Sequence, residues 1–398
     1  MRTSDSSIWP GTMSCLPRRE RRLGASWAPG FRALAARCRG SWNATRLVVA
    51  LALATAAVAA VGTGFAQNEG TVVLDGLDGP QDVLMAADGT LYVAENGTGP
   101  DASASKPWTE SAKVIAMAPD GTVRTLARLP SLGNPRNPYD INGVGGLALD
   151  GGSLYATSSR WLSGPPFPRP DLAGTVVRVD PSGPVSVADT FQFELFNNPD
   201  QLTFDSHPYR LTPGPKGLLW VTDAAGNDLL RVDPATGKVS LVAVFPGLPS
   251  DTPSANRNGA NEIDPVPTGL VVRDDGSALV ALLSGGAFPD GASKIVEVSP
   301  EGDLSDFVTG LTAAIDLKRG PDGNIYVVQL AHFGDGDFLP ATGSVLRLTP
   351  DGPQPVLDHL AFPTAVAFSP GGDAYVAVGG LGHPGTGKVL RFAKLAAP

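Results

Sequence analysis

One pattern recurs six times along this chain and leaves little freedom of fold. Each copy is a short apolar strand opened by Pro or a polar residue, then a Gly/Asp turn, then an aromatic-Val strand. The first copy reads Pro80-Gln81-Asp82-Val83-Leu84-Met85, Asp88-Gly89, Leu91-Tyr92-Val93-Ala94. The last reads Pro363-Thr364-Ala365-Val366-Ala367-Phe368, Gly371-Gly372, Ala374-Tyr375-Val376-Ala377. The second strands align on Tyr92, Tyr155, Trp220, Leu279, Tyr326 and Tyr375. Aromatic and β-branched residues suit the half-buried surface of a sheet, and Asp-Gly or Gly-Gly supplies the positive φ of a tight hairpin. A third strand follows in each unit, such as Val114–Met117. A fourth follows in turn, such as Val239–Val244. Four short strands repeating at about 50 residues predict an all-β fold, a six-bladed β-propeller of the NHL/TolB-like kind.

The sixth unit runs out after its third strand, at the end of the chain. Thr71-Val72-Val73-Leu74 precedes the first unit with no partner of its own. It is expected to become the outer strand of the last blade, closing the ring and removing an open edge. No segment of the repeat region carries a clear 3.6-residue apolar period, so almost no helix is expected. The 48 Gly and 37 Pro fall largely at turn positions, where they punctuate strands.

Residues 1–66 differ in kind from residues 67–398, the propeller domain. They hold nine Arg and only two acids, Asp5 and Glu20, followed by an apolar, Ala-rich run from Leu47 to Val61 and small residues to Ala66. A basic region, a short apolar stretch and a small-residue end read as a secretory signal peptide cleaved near Ala66-Gln67. The alternative is an uncleaved anchor, for which the apolar run is short. A secreted or periplasmic, monomeric protein is expected, free of the membrane once cleaved. Without the leader, basic residues fall from 30 to 21 and acids from 39 to 37, a net charge of −16. That excludes nucleic acid as a partner, because phosphates need a basic face. Both cysteines, Cys15 and Cys38, lie in the leader, so the propeller domain has neither a disulfide nor a reactive thiol.

Two sets of residues are candidates for a site. Segments opening the inner strands should line the channel mouth, and their polar members are Asp82, Tyr209, Arg210, Thr268, Asp316 and Thr364. Asp82 and Asp316 suit a hard cation such as calcium; alternatively they cap strand ends or pair with Arg210. The second set is aromatic. Long insertions at 96–109, 134–142, 158–171, 196–209, 251–267 and 332–341 should build one face, with Tyr139, Trp161, Phe167, Phe196 and Phe338 available for binding a small molecule, a glycan or a protein. Alternatively they cover apolar blade edges. Asp335-Gly336-Asp337 lacks the full calcium-loop pattern. No two of the four histidines are spaced as zinc ligands, and no nucleophile elbow or phosphate loop is present.

The runs Asp205-Ser-His-Pro-Tyr-Arg-Leu211 and Trp220-Val-Thr-Asp-Ala-Ala-Gly-Asn-Asp228, with Val266-Pro-Thr-Gly-Leu270 and Ile315-Asp-Leu317, resemble the ScyD/ScyE family over nearly all of residues 70–392. The resemblance implies an exported, NHL-related propeller and carries no catalytic residues with it. A more distant resemblance is to gluconolactonase-type propellers, which hold a channel Ca²⁺ on a Glu, Asn and Asp set. Where their Asn stands this chain has Thr268 and Thr364, which leaves Asp316 as the ligand-like residue that fits. The expected function is binding or scaffolding, with a calcium-dependent lactonase or hydrolase as the alternative.

Overall fold

Six antiparallel sheets follow one another along the chain. Their inner strands are Pro80–Met85, Leu147–Asp150, Pro208–Pro213, Pro267–Val272, Ala314–Arg319 and Ala365–Phe368. The computed structural model describes residues 70–101, 106–134, 137–164, 167–286 and 288–398, with the side chains of 134 and 137–139 left aside. The leader, both cysteines and the signal-peptide expectation lie outside the described residues. Blades 2 to 5 each have four strands in inner-to-outer order, and blade 1 adds a fifth, Asn137–Asn142. The sixth blade is closed by the other end of the chain: Thr71–Leu77 pairs antiparallel with Gly387–Phe392, Val72 opposite Leu390. The ring is therefore fastened by hydrogen bonds between its two ends, as the orphan strand predicts, and the outer side of Gly387–Phe392 is covered.

The core lies between blades rather than within them. Alternating residues of neighbouring sheets interdigitate, as Val83 and Val93 of blade 1 do with Ala365 and Ala377 of blade 6. Ala94 and Val114 meet Leu147 and Val177 between blades 1 and 2. The aromatic positions of the repeat fill such seams: Trp220 packs with Leu270 and Val280, and Tyr326 with Val366 and Val376. At the hairpin before Trp220, Lys216 and Gly217 both take positive φ, 64° and 68°, which Gly adopts freely and Lys only at a cost.

Antiparallel order gives the two ends of each sheet different jobs. Turns within the first and last strand pairs are tight on one face. The second-to-third connections and the blade-to-blade crossovers share the other face, and these are the long insertions. They carry small ladders of their own: Trp161–Leu162 with Asp205–Ser206, and Leu248–Pro249 with Glu262–Ile263. Helix is scarce, as expected, and one insertion holds an eight-residue stretch of it. Thr190–Asn197 is an α-helix, α1, between blades 2 and 3, capped by the Asp189 side chain accepting from Gln192 N. The cap supplies one of the acceptors that the first turn lacks. No helix among the described residues is long and apolar enough to cross a membrane.

Candidate functional site

Asp82, Tyr209, Asp316 and Thr364 meet around Arg210, Thr268 joins the ring of bonds beyond them, and each of the six makes a bond that ties blades together. Arg210 is two residues into the inner strand of blade 3, and its guanidinium spans the axis. Nε donates to Asp316 Oδ1 at 3.0 Å, Nη2 donates to the carbonyls of Gln81 and Thr364 at 2.8 Å each, and Nη1 donates to Gly145 O. Blades 1, 2, 5 and 6 are thus held by one side chain from blade 3. Asp82 Oδ1 lies 4.0 Å from Nε.

Around that hub runs a ring of bonds from each blade to the next. Asp82 Oδ2 of blade 1 accepts from Leu147 N of blade 2. Thr157 Oγ1 donates to Tyr209 O, Thr222 Oγ1 to Thr268 O, and Thr268 Oγ1 to Ala314 O. Asp316 Oδ2 accepts from Val366 N, and Thr364 Oγ1 donates to Pro80 O, completing the circuit. The other oxygens are taken as well, Asp82 Oδ1 by Val83 N. Tyr209 donates its hydroxyl to Gln81 Oε1 at 3.2 Å and lies under the Arg210 guanidinium. Burial raises Asp82 against the pull of Arg210, and it pushes the Tyr209 phenol up to about 12. Burial opposes the charge on Arg210, but Asp316 and Asp82 outweigh it and keep the guanidinium protonated.

A second polar centre sits beside this hub, under the insertion-bearing face between blades 2 and 3. The sequence patterns did not single it out. Helix α1 turns Thr190, Phe191 and Glu194 inward. Phe191 joins Leu132, Trp161 and Ala173 in a core, and Glu194 is carried into a chamber with Asp200, Asp205, Asp223, Asn227 and Asp228. Asp223 ends the second strand of blade 3 and is the chamber's organiser. Its Oδ1 accepts from the backbone N–H groups of His207, Ala225 and Gly226, and its Oδ2 from Ser206 Oγ, which is bonded in turn to Thr190 Oγ1. Asp205 is held by the Arg160 fork, Nε lying 2.9 and 3.0 Å from its two oxygens.

Three of these acids lie far from their usual range. Burial, followed by Asp223, Asp200 and Asp205, pushes Glu194 up to about 8. Burial lifts Asp223 to about 6 against its hydrogen bonds. Asp228 is raised strongly by burial and by Asp223, Glu194 and Asp200. Next to them burial, then Arg160, depresses His207 to about 3, so the imidazole is neutral.

The aromatic candidates separate. Trp161 is 4% exposed and part of a core, whereas Phe196, at the end of α1, is 79% exposed. Trp161 therefore closes the seam between blades 1 and 2 and offers no ring to solvent. Tyr139 falls in the fifth strand of blade 1, with its side chain outside the described residues. Phe338 packs against Phe288 and Phe333. Among the described residues no three His, Cys, Asp or Glu side chains are already gathered around one metal position.

No protein-family model matches the chain, and no curated protein matches it. Solved structures do. A putative gluconolactonase aligns over 81% of this chain and 91% of its own at 16% identity, TM-score 0.47. A putative oxidoreductase (glucose dehydrogenase) from Thermus thermophilus aligns over 81% and 98% at 19% identity, TM-score 0.48. Virginiamycin B lyase from Staphylococcus aureus aligns over 79% and 94% at 14% identity, TM-score 0.44. At such identities activity does not transfer, because one propeller scaffold hosts unrelated chemistries.

Proposed function

We propose that this chain is an exported propeller of the ScyD/ScyE type that works as a binding module, taking a small molecule, glycan or protein on its insertion-bearing face. Supporting export are the basic, apolar and small-residue stretches of residues 1–66. One observation carries the binding reading. The axis, where a propeller enzyme of the calcium-dependent kind would need free carboxylate oxygens, is closed by Arg210, and all four oxygens of Asp82 and Asp316 accept hydrogen bonds. Loops on a rigid scaffold are the usual place for recognition, and Phe196 offers an exposed ring there.

The test sets this against the lactonase alternative. The purified protein is incubated with a panel of aldonic and aryl lactones, with and without millimolar Ca²⁺, beside the Asp316→Asn variant. The expected result is hydrolysis at the buffer rate in every case, and glycan- or small-molecule-array binding that weakens in Phe196→Ala. Calcium-dependent hydrolysis that disappears in Asp316→Asn while the protein stays folded would overturn the reading in favour of the enzyme.

A further inference from the structure

The acidic chamber between blades 2 and 3 has more negative groups than partners for them. Arg160 is engaged by Asp205. Arg257, which acts on Asp200 from the other side, is engaged by Glu262 and lies 3.7 Å from Asp264. His207 is neutral. Glu194, Asp223 and Asp228 therefore face one another with no cation of their own among the described residues, at 2%, 1% and 1% exposure. Buried carboxylates in that state are strongly destabilising unless a proton or a cation compensates them.

Orphaned oxygens mark where the compensation goes. Glu194 Oε1, Asp228 Oδ1 and Asn227 Oδ1 are buried without a hydrogen-bond partner among the described residues. Asn227 is the informative one, since it is neutral and 3% exposed. Its Nδ2 donates to Asp200 Oδ2 at 2.8 Å and to Ala225 O, which fixes the amide in the chamber and leaves its carbonyl oxygen idle. A protonated acid explains an idle carboxyl oxygen, whereas the idle amide oxygen needs a donor or a cation brought to it, and one cation would serve all three oxygens at once. Space is kept between the carboxylates by Gly226. A Cβ there would press on both acids, 3.3 Å from Asp223 Cγ and 3.4 Å from Asp223 Oδ1 and Glu194 Oε2, so the glycine is what lets them approach that position.

We infer that this chamber is a divalent-cation site of the calcium class, with Glu194, Asp228 and the Asn227 side-chain oxygen as ligands. The donors are all oxygen, which suits a hard cation and not zinc, whose sites favour nitrogen and sulfur. Calcium tolerates irregular geometry, whereas magnesium demands a near-ideal octahedron. The cation-free arrangement does not yet bring three acids around one point, so the carboxylates close in as the ion binds. The site is separate from the Arg210 hub and does not depend on the export or ligand-binding reading.

The test is a calcium titration of the purified, EDTA-stripped protein at pH 8, followed by calorimetry and thermal melting. One site is expected. At a hundredfold excess over Kd the melting temperature should rise by about 5 °C. At pH 7 binding should release protons, seen as heats that change with buffer ionisation enthalpy. Glu194→Gln and Asp228→Asn should each weaken binding at least tenfold while leaving the calcium-free protein folded. Gly226→Ala, which keeps every ligand and fills the space, should weaken it as well. No calcium heat and no thermal shift at pH 8 would overturn the proposal and leave protons as the compensation. Binding of normal strength in both acid variants would overturn it too, by placing the ion elsewhere.

Discussion

The Arg210 hub and the acidic chamber each draw on the stretches 205–211 and 220–228, yet they are opposites. At the hub a buried cation faces buried anions, and every oxygen of Asp82 and Asp316 has a donor. In the chamber buried acids face one another without a cation among the described residues, and Glu194, Asn227 and Asp228 each keep an oxygen idle. Burial is nearly complete in both, so burial does not distinguish them. Compensation does. A polar group whose valences are all filled is a structural tie, whereas one buried with valences unfilled is poised to take something up.

The comparison breaks first at Arg210. Arg210→Met removes the cation and leaves two carboxylates and three carbonyls without their partner. Denaturation in urea should show a loss of about 3–5 kcal/mol, part of it recovered when Asp316→Asn is added. A neutral Arg210→Met would mean that water serves the axis as well as the guanidinium does. A similar loss, about 3–5 kcal/mol, is expected for Trp161→Ala, because its ring fills a core. If that variant instead stays stable and loses ligand binding, Trp161 belongs to the binding face after all.

The chamber is sharpened by pH. Glu194 has an ordinary value of 4.5 and a folded value of about 8. The folded state therefore holds this proton more tightly than the unfolded chain. Its contribution to stability is fully present below 4.5 and is lost as pH rises to about 8. Without calcium, stability should fall over that window by on the order of a few kcal/mol. Glu194→Gln should flatten the slope and exceed the parent protein at pH 8, and saturating calcium should flatten it too. An unchanged slope in Glu194→Gln would assign it to another acid. The smallest effect belongs to Phe196→Ala, within about 0.5 kcal/mol of the parent protein, and a larger loss would show that its ring is packed in solution.

How much of this was legible in the sequence follows from the same contrast. Blades are local, so Pro80–Met85 and Val239–Val244 stand where the apolar alternation puts them, and the orphan strand at 71–77 closes the ring. The hub was half legible. Asp82, Arg210 and Asp316 occupy equivalent positions in three repeats, and pairing with Arg210 was one of the two readings. That the guanidinium would reach carbonyls of three further blades depends on the ring's curvature, which no local pattern encodes. The chamber was not legible. Glu194 is on a helix that eight residues with no strong apolar period do not announce, and Asp223 and Asp228 look like hairpin-end acids on any strand pair. Strand register alone brings them together. The runs 205–211 and 220–228 carried a family resemblance, but resemblance did not say which of their residues act.

The most direct measurement is urea denaturation of Arg210→Met and Glu194→Gln side by side, at pH 8 in EDTA. Opposite signs are predicted, the first variant less stable than the parent protein and the second more stable. Losses of similar size in both would contradict the account, because hub and chamber would then be two ties of one kind.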